Sequence, residues 1–191
     1  MEINFKTTKS NSKKYEYQDH KWVLDNELNV DDLLKLPKFS KFEYCGSIVP
    51  SNGTAGYEIS LVEKFKGKSF IIYLATIGGK VLKGGKSKNP LDNRSYGAGT
   101  EESWTMRGTP SVTNYVWSQI FRESLKGECE VKFYGMVVPS YEMTYESFDG
   151  KMITESVSPY ESEEKKLNGL LNKLNGKKVI GEGKLLVPFK N

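Results

Sequence analysis

The chain has 191 residues, 37% hydrophobic and 12% aromatic, which is enough apolar side chain for a globular core. No apolar run approaches the roughly 18 residues of a membrane helix. The polar start MEINFKTTKSNSKKYEYQDHK has no secretory core, and Cys45 and Cys129 match no metal spacing, so a cytoplasmic, reduced setting is expected. Net charge is a mild +4, and the single histidine, His20, argues against multi-histidine metal sites and Ser-His-Asp chemistry. Catalysis, if present, falls to carboxylates, Lys, Arg or Tyr.

In chain order, residues 1–20 read as a loosely attached arm. Residues 21–36, KWVLDNELNVDDLLKL, predict a short helical region ended by Pro37. Residues 42–49 and 57–65 alternate as strands about the turn SNGTAG. Residues 68–77, KSFIIYLATI, are a β-branched and aromatic run suited to a buried central strand. Gly78-Gly79 tolerates a tight hairpin, and residues 80–84 return as its second strand. Asn89-Pro90 can start a short helix, and residues 95–110 read as a loop. Residues 111–126 show helical spacing stopped by Gly127, and residues 129–138 form a strand. A hairpin is expected at residues 139–159, turning at Asp149-Gly150. After Pro159, acids fill a first helical turn, and Leu167, Leu170, Leu171 and Leu174 line one face up to Gly176. KLLVPF reads as a last strand. The order implies an α+β fold with a small central antiparallel sheet flanked by helices. Residues 1–66 are expected to form an arm and accessory region, and 67–191 a core with an inserted hairpin near 139–159.

Basic residues gather between Lys80 and Arg94. Lys80, Lys83, Lys86, Lys88 and Arg94 face one acid, Asp92. Lys83-Gly84-Gly85-Lys86-Ser87 imitates the end of a phosphate-binding P-loop, but that loop needs a glycine where Lys80 stands, and Pro90 follows too soon. No nucleotide cofactor is expected.

Taken together, Ile71-Ile72-Tyr73, then Lys83-Gly84-Gly85-Lys86-Ser87, then Arg94 resemble the signature of the GIY-YIG nuclease superfamily. Ile71 replaces the first glycine, Lys83 the second tyrosine and Gly84 the second isoleucine. The lysine variant and the spacings resemble the type II restriction endonucleases of that superfamily. Downstream, Glu164-Lys165-Lys166-Leu167 is similar to the pattern of its metal-binding helix, and Glu163 is the neighbouring alternative.

The resemblance implies a metal-dependent DNA endonuclease with Tyr73, Lys83, Arg94 and Glu164 as catalytic residues. It implies one Mg²⁺ per site held by Glu164 or Glu163, double-stranded DNA as partner and a homodimer, without membrane attachment. A phosphodiester needs an activated water, charge neutralisation and help for the leaving oxygen. Tyr73 suits the first task, with Lys83 favouring its phenolate, and Arg94 suits bidentate phosphate clamping. Lys80, Lys86, Ser87, Lys88, Arg107 and Arg122 are expected DNA contacts. The rival expectations are a phage, mobile-element or repair nuclease, and a nucleic-acid-binding module without catalysis. Each residue alone has a plainer reading: Tyr73 as a packed strand residue, the cations as solvated surface, and the glutamates as first-turn acids.

Overall fold

In a computed structural model, residues 2–11, 14–23, 28–53, 55–93, 112–127, 129–175 and 184–185 are described. The strands are β1 (Glu2–Asn11), β2 (Lys14–Val23), β3 (Glu43–Pro50), β4 (Tyr57–Leu61), β5 (Ile71–Ile77), β6 (Lys80–Ser87), β7 (Val131–Val137), β8 (Tyr141–Glu146), β9 (Met152–Val157) and β10 (Lys184–Leu185). The helices are α1 (Val30–Leu34), α2 (Val112–Lys126) and α3 (Tyr160–Asn175).

Five antiparallel strands form the main sheet in the order β4-β3-β7-β5-β6. All seven residues of β5 are buried. A strand covered on both faces has no polar face, which is why its sequence is a continuous apolar run. Alternate residues of β5 enter two cores. Ile71, Tyr73, Ala75 and Ile77 pack with Trp117, Ile120 and Phe121 of α2 and with Phe133 of β7. Ile72 and Leu74 pack with Leu167 and Leu171 of α3 and with Val30 and Leu33 of α1. Burying such side chains contributes about 1.5–3 kcal/mol each, so this strand anchors both layers. The fold is therefore α+β, a central antiparallel sheet flanked by helices.

Gly78 (φ 53°) and Gly79 (φ 79°) both lie in the left-handed region, which matches a two-residue primed turn between Ile77 and Lys80. The return strand β6 runs on to Ser87, beyond the expected end at residue 84. Leu91–Asn93 forms only a single 3₁₀ turn after Pro90. In β4 the strand stops at Leu61, and Glu63–Phe65 turns as a 3₁₀ helix.

The N-terminus departs from expectation. Residues 2–11 and 14–23, read from sequence within a loosely attached arm, form strands: β1 and β2 pair along their whole length, and β2 also pairs with β10. Ile3, Phe5 and Thr7, then Tyr15 and Tyr17, alternate with polar residues. That period-two pattern is easily hidden in so polar a segment. The helix expected over 21–36 is only α1, because β2 continues through Val23. Asn29 caps α1, its side chain accepting from the Asp31 amide at 2.8 Å, and Pro37 begins a separate 3₁₀ turn.

The sheet also crosses the division expected at residue 66, since β3 is hydrogen-bonded to β7. The hairpin β8–β9 forms about Asp149-Gly150 as expected, with the side chains of both strands largely exposed. No helix among the described residues is long and apolar enough to cross a membrane.

Candidate active site

The hairpin β5–β6 carries Tyr73 and Lys83, and its register decides where the lysine points. Near the turn, Ile77 pairs with Lys80 and Thr76 with Val81. Continued regularly, that ladder would set Lys83 opposite Leu74, on the α3 side. Instead the register shifts, Leu82 is left over, and Lys83 pairs with Ala75. A β-bulge of this kind re-aims the side chains that follow it. Leu82 joins the α2-side core, and the Lys83 ammonium lies 5.0 Å from the centre of the Trp117 ring. Lys83 therefore shares a face with Tyr73, one pleat away on the neighbouring strand.

Beyond the bulge, Gly84 and Gly85 face opposite sides and solve different packing problems. A Cβ on Gly85 would lie 2.5 Å from Tyr73 Cζ and 2.6 Å from its hydroxyl oxygen. The phenol thus lies across β6, an edge strand of the sheet. A Cβ on Gly84 would meet Asn168, Leu167 and Leu171, so its absence seats α3. On the other side of Tyr73, Gly135 of β7 is its register partner. A Cβ there would approach the Ile72 carbonyl at 2.5 Å and Tyr73 Cβ at 3.2 Å. Tyr73 is wholly buried between these glycines, edge-on to Phe133 with ring centres 5.7 Å apart.

The α3 side of β6 holds the acids. Lys86 Nζ lies 3.2 Å from Glu161 Oε1 and 3.2 Å from Glu164 Oε2. Glu163 points elsewhere, pairing along its own helix with Lys166 at 2.7 Å. Of the two expected metal ligands, only Glu164 reaches the sheet. Burial works against the Lys86 ammonium, but the Glu161 and Glu164 carboxylates outweigh it and raise its pKa.

Of the other expected residues, Ser87, Lys80 and Lys88 lie on or beside β6, and Arg122 lies on α2. Ser87 is buried and donates its hydroxyl to the Asn89 carbonyl at 2.7 Å, closing the turn after β6. Lys80 is exposed at the hairpin end, where it pairs with Asn29, and Lys88 is exposed just past β6. Arg122, on α2, donates Nε to the Ala55 carbonyl at 2.9 Å and so holds the β3–β4 connection. Arg94, Arg107 and the loop expected over 95–110 lie outside the described residues.

Sequence reasoning missed the positioning roles of Gly85, Gly135 and Trp117, and the carboxylate of Glu161. The signal for Gly85 was present: glycine inside a strand often marks a close approach.

At β6, Tyr73 and Lys83 share the α2-side face, and Lys86 meets Glu164 on the opposite, α3-side face. No family model and no curated protein matches the chain. Among solved structures it is similar to the restriction endonuclease HPY188I in complex with product DNA. The identity is 29% and the TM-score 0.51, over 83% of this chain and 87% of that one. A mutant of bacteriophage T4 EndoII also matches, at 17% identity and TM-score 0.46, over 80% of this chain and 98% of that one.

Proposed function

We propose that this protein is a metal-dependent DNA endonuclease of the GIY-YIG type, acting as a type II restriction enzyme on a short site in double-stranded DNA. The observation that carries the reading is the likeness to a restriction endonuclease along 83% of the chain. The shared face of Tyr73 and Lys83 supports it.

In this reading Tyr73, as its phenolate, takes the proton from the attacking water and becomes the neutral phenol. Lys83 favours the phenolate, and the Trp117 ring helps fix the ammonium in place. Arg94 clamps a non-bridging phosphate oxygen. Because Tyr73 is fully enclosed, DNA binding must open a path to its hydroxyl.

The acids fit a hard divalent cation, since Glu164 and Glu161 already direct two carboxylate oxygens at one positive charge. Glu164 would hold Mg²⁺, with Glu161 beside it. When bound, the ion stabilises the departing 3′ oxygen. Cutting both strands of a near-palindromic site calls for two copies of the chain, and a homodimer is part of the proposal.

A second reading, a DNA-binding module without catalysis, draws on the burial of Tyr73 and the paired state of Lys86. Incubation with mixed plasmid and phage DNA plus Mg²⁺, followed by sequencing of the ends, separates the two. Discrete ends are expected from the wild type, with loss of cutting in Tyr73→Phe and Glu164→Ala. A wild type that leaves DNA intact, or a Tyr73→Phe variant that cuts normally, refutes the catalytic reading. Loss of cutting on methylated host DNA distinguishes restriction from a phage or repair role.

A further inference from the structure

The place of Lys86 within the acidic cluster goes beyond this reading while resting on Glu164 as metal ligand. Glu161 and Glu164 stand three apart on α3, so their side chains are neighbours on one helix face. Both carboxylates converge on the same Nζ at 3.2 Å. The partners differ in burial: the Glu164 side chain is 21% exposed and that of Glu161 is 61%. Lys86 is held from a third side, its Nζ lying 5.9 Å from the centre of the Tyr160 ring. Tyr160 in turn stacks at a tilt on Phe70, with ring centres 5.3 Å apart. The strand that carries Lys86 is fixed by Gly84 against α3 and by Gly85 against Tyr73. The ammonium is thus built into the position that a cation bridging the two acids would take.

An ammonium and a divalent ion cannot share that position. Mg²⁺ binds carboxylate oxygens at roughly 2.0–2.1 Å and keeps its own water shell, and the two cations repel. We propose that Lys86 is a resident counter-cation for the Glu161–Glu164 pair, and that a divalent ion must displace it in order to load. The lysine offsets one of the two negative charges of the paired acids in the metal-free protein. Displacement then frees the Lys86 ammonium on the α3 face of β6.

The test is Mn²⁺ affinity without DNA, read from the electron paramagnetic resonance signal of the unbound ion. Lys86→Met is expected to bind Mn²⁺ roughly two- to fivefold more tightly than the wild type, the range set by a partly exposed ion pair. Lys86→Arg keeps the charge and is expected to bind no more tightly than the wild type. Glu164→Gln is expected to lose most of the affinity. Circular dichroism on each variant confirms that the fold is kept. Unchanged affinity in Lys86→Met, with Glu164→Gln impaired, overturns the counter-cation role and leaves the metal reading intact. Wild-type affinity in Glu164→Gln overturns the metal reading, and the counter-cation role with it.

Discussion

The Tyr73 ring lies so close to Gly85 that a Cβ there would stand 2.5 Å from Cζ. Gly85→Ala must therefore push the phenol away from the strand or move the strand itself. Overpacking of this kind costs about 1–3 kcal/mol, and cleavage should fall with the displaced hydroxyl. Gly84→Ala is the matched control. Its closest clash is the end of the Asn168 side chain, which can rotate away. Urea unfolding and a plasmid-nicking assay on both variants should show the larger loss of activity at Gly85.

Lys83→Met tests the lysine apart from its packing. Methionine keeps an unbranched stem against Trp117 and removes the charge. The variant should melt close to the wild type and cut DNA at least tenfold more slowly, on the scale of a lost charge-stabilising contact. Normal cutting would make Lys83 a surface residue with no catalytic part.

The two cysteines should behave in opposite ways. Burial pushes the Cys45 thiol up to about 12, whereas Cys129 is exposed. Iodoacetamide at pH 8 should label Cys129 in the native protein, and Cys45 only after denaturation, as read by peptide mass. Equal native labelling would show that the β3 core opens.

The same burial sets a pH dependence of stability. Burial also raises the Tyr57 hydroxyl. Both groups are held neutral in the fold, so their stabilising part is full below the unfolded values of roughly 9 and 10 and is lost as pH climbs towards the folded ones. Urea midpoints should decline from about pH 9 upward. Cys45→Ala should flatten the first part of that decline, although the small cavity lowers its stability at neutral pH.

Arg122→Ala removes the donor to the Ala55 carbonyl. A hydrogen bond from a charged group contributes about 1.5–3 kcal/mol, so the loss should be visible in urea. The salt dependence of DNA binding measures its other expected role. A slope reduced by about one phosphate contact would assign Arg122 to DNA as well.

How far the sequence could be read depended on the range of the interaction. The apolar run of β5, the Gly78-Gly79 turn and the stop at Gly127 are local signals, and each marks its element. Strands β1 and β2 were obscured because lysines, serines and asparagines dilute their alternation. The pairing of β3 with β7 joins residues nearly ninety positions apart, and nothing local announces it. Tyr73 and Lys83 could be paired by motif alone. The choice between Glu163 and Glu164 could not, because it depends on the rotation of α3 against the sheet, which Gly84, Leu167 and Leu171 set together.

The leftover Leu82 gives the hairpin a parity. Strand residues change sides at every step, so one inserted position exchanges the two faces of everything beyond it. A chain built on the same turn without that extra residue would need its lysine one position earlier to keep it beside the tyrosine. A motif written as a letter count between tyrosine and lysine therefore records a kink in the backbone as well as a distance. Two chains with different counts can present the same pair of side chains, and two with the same count can present them on opposite sides.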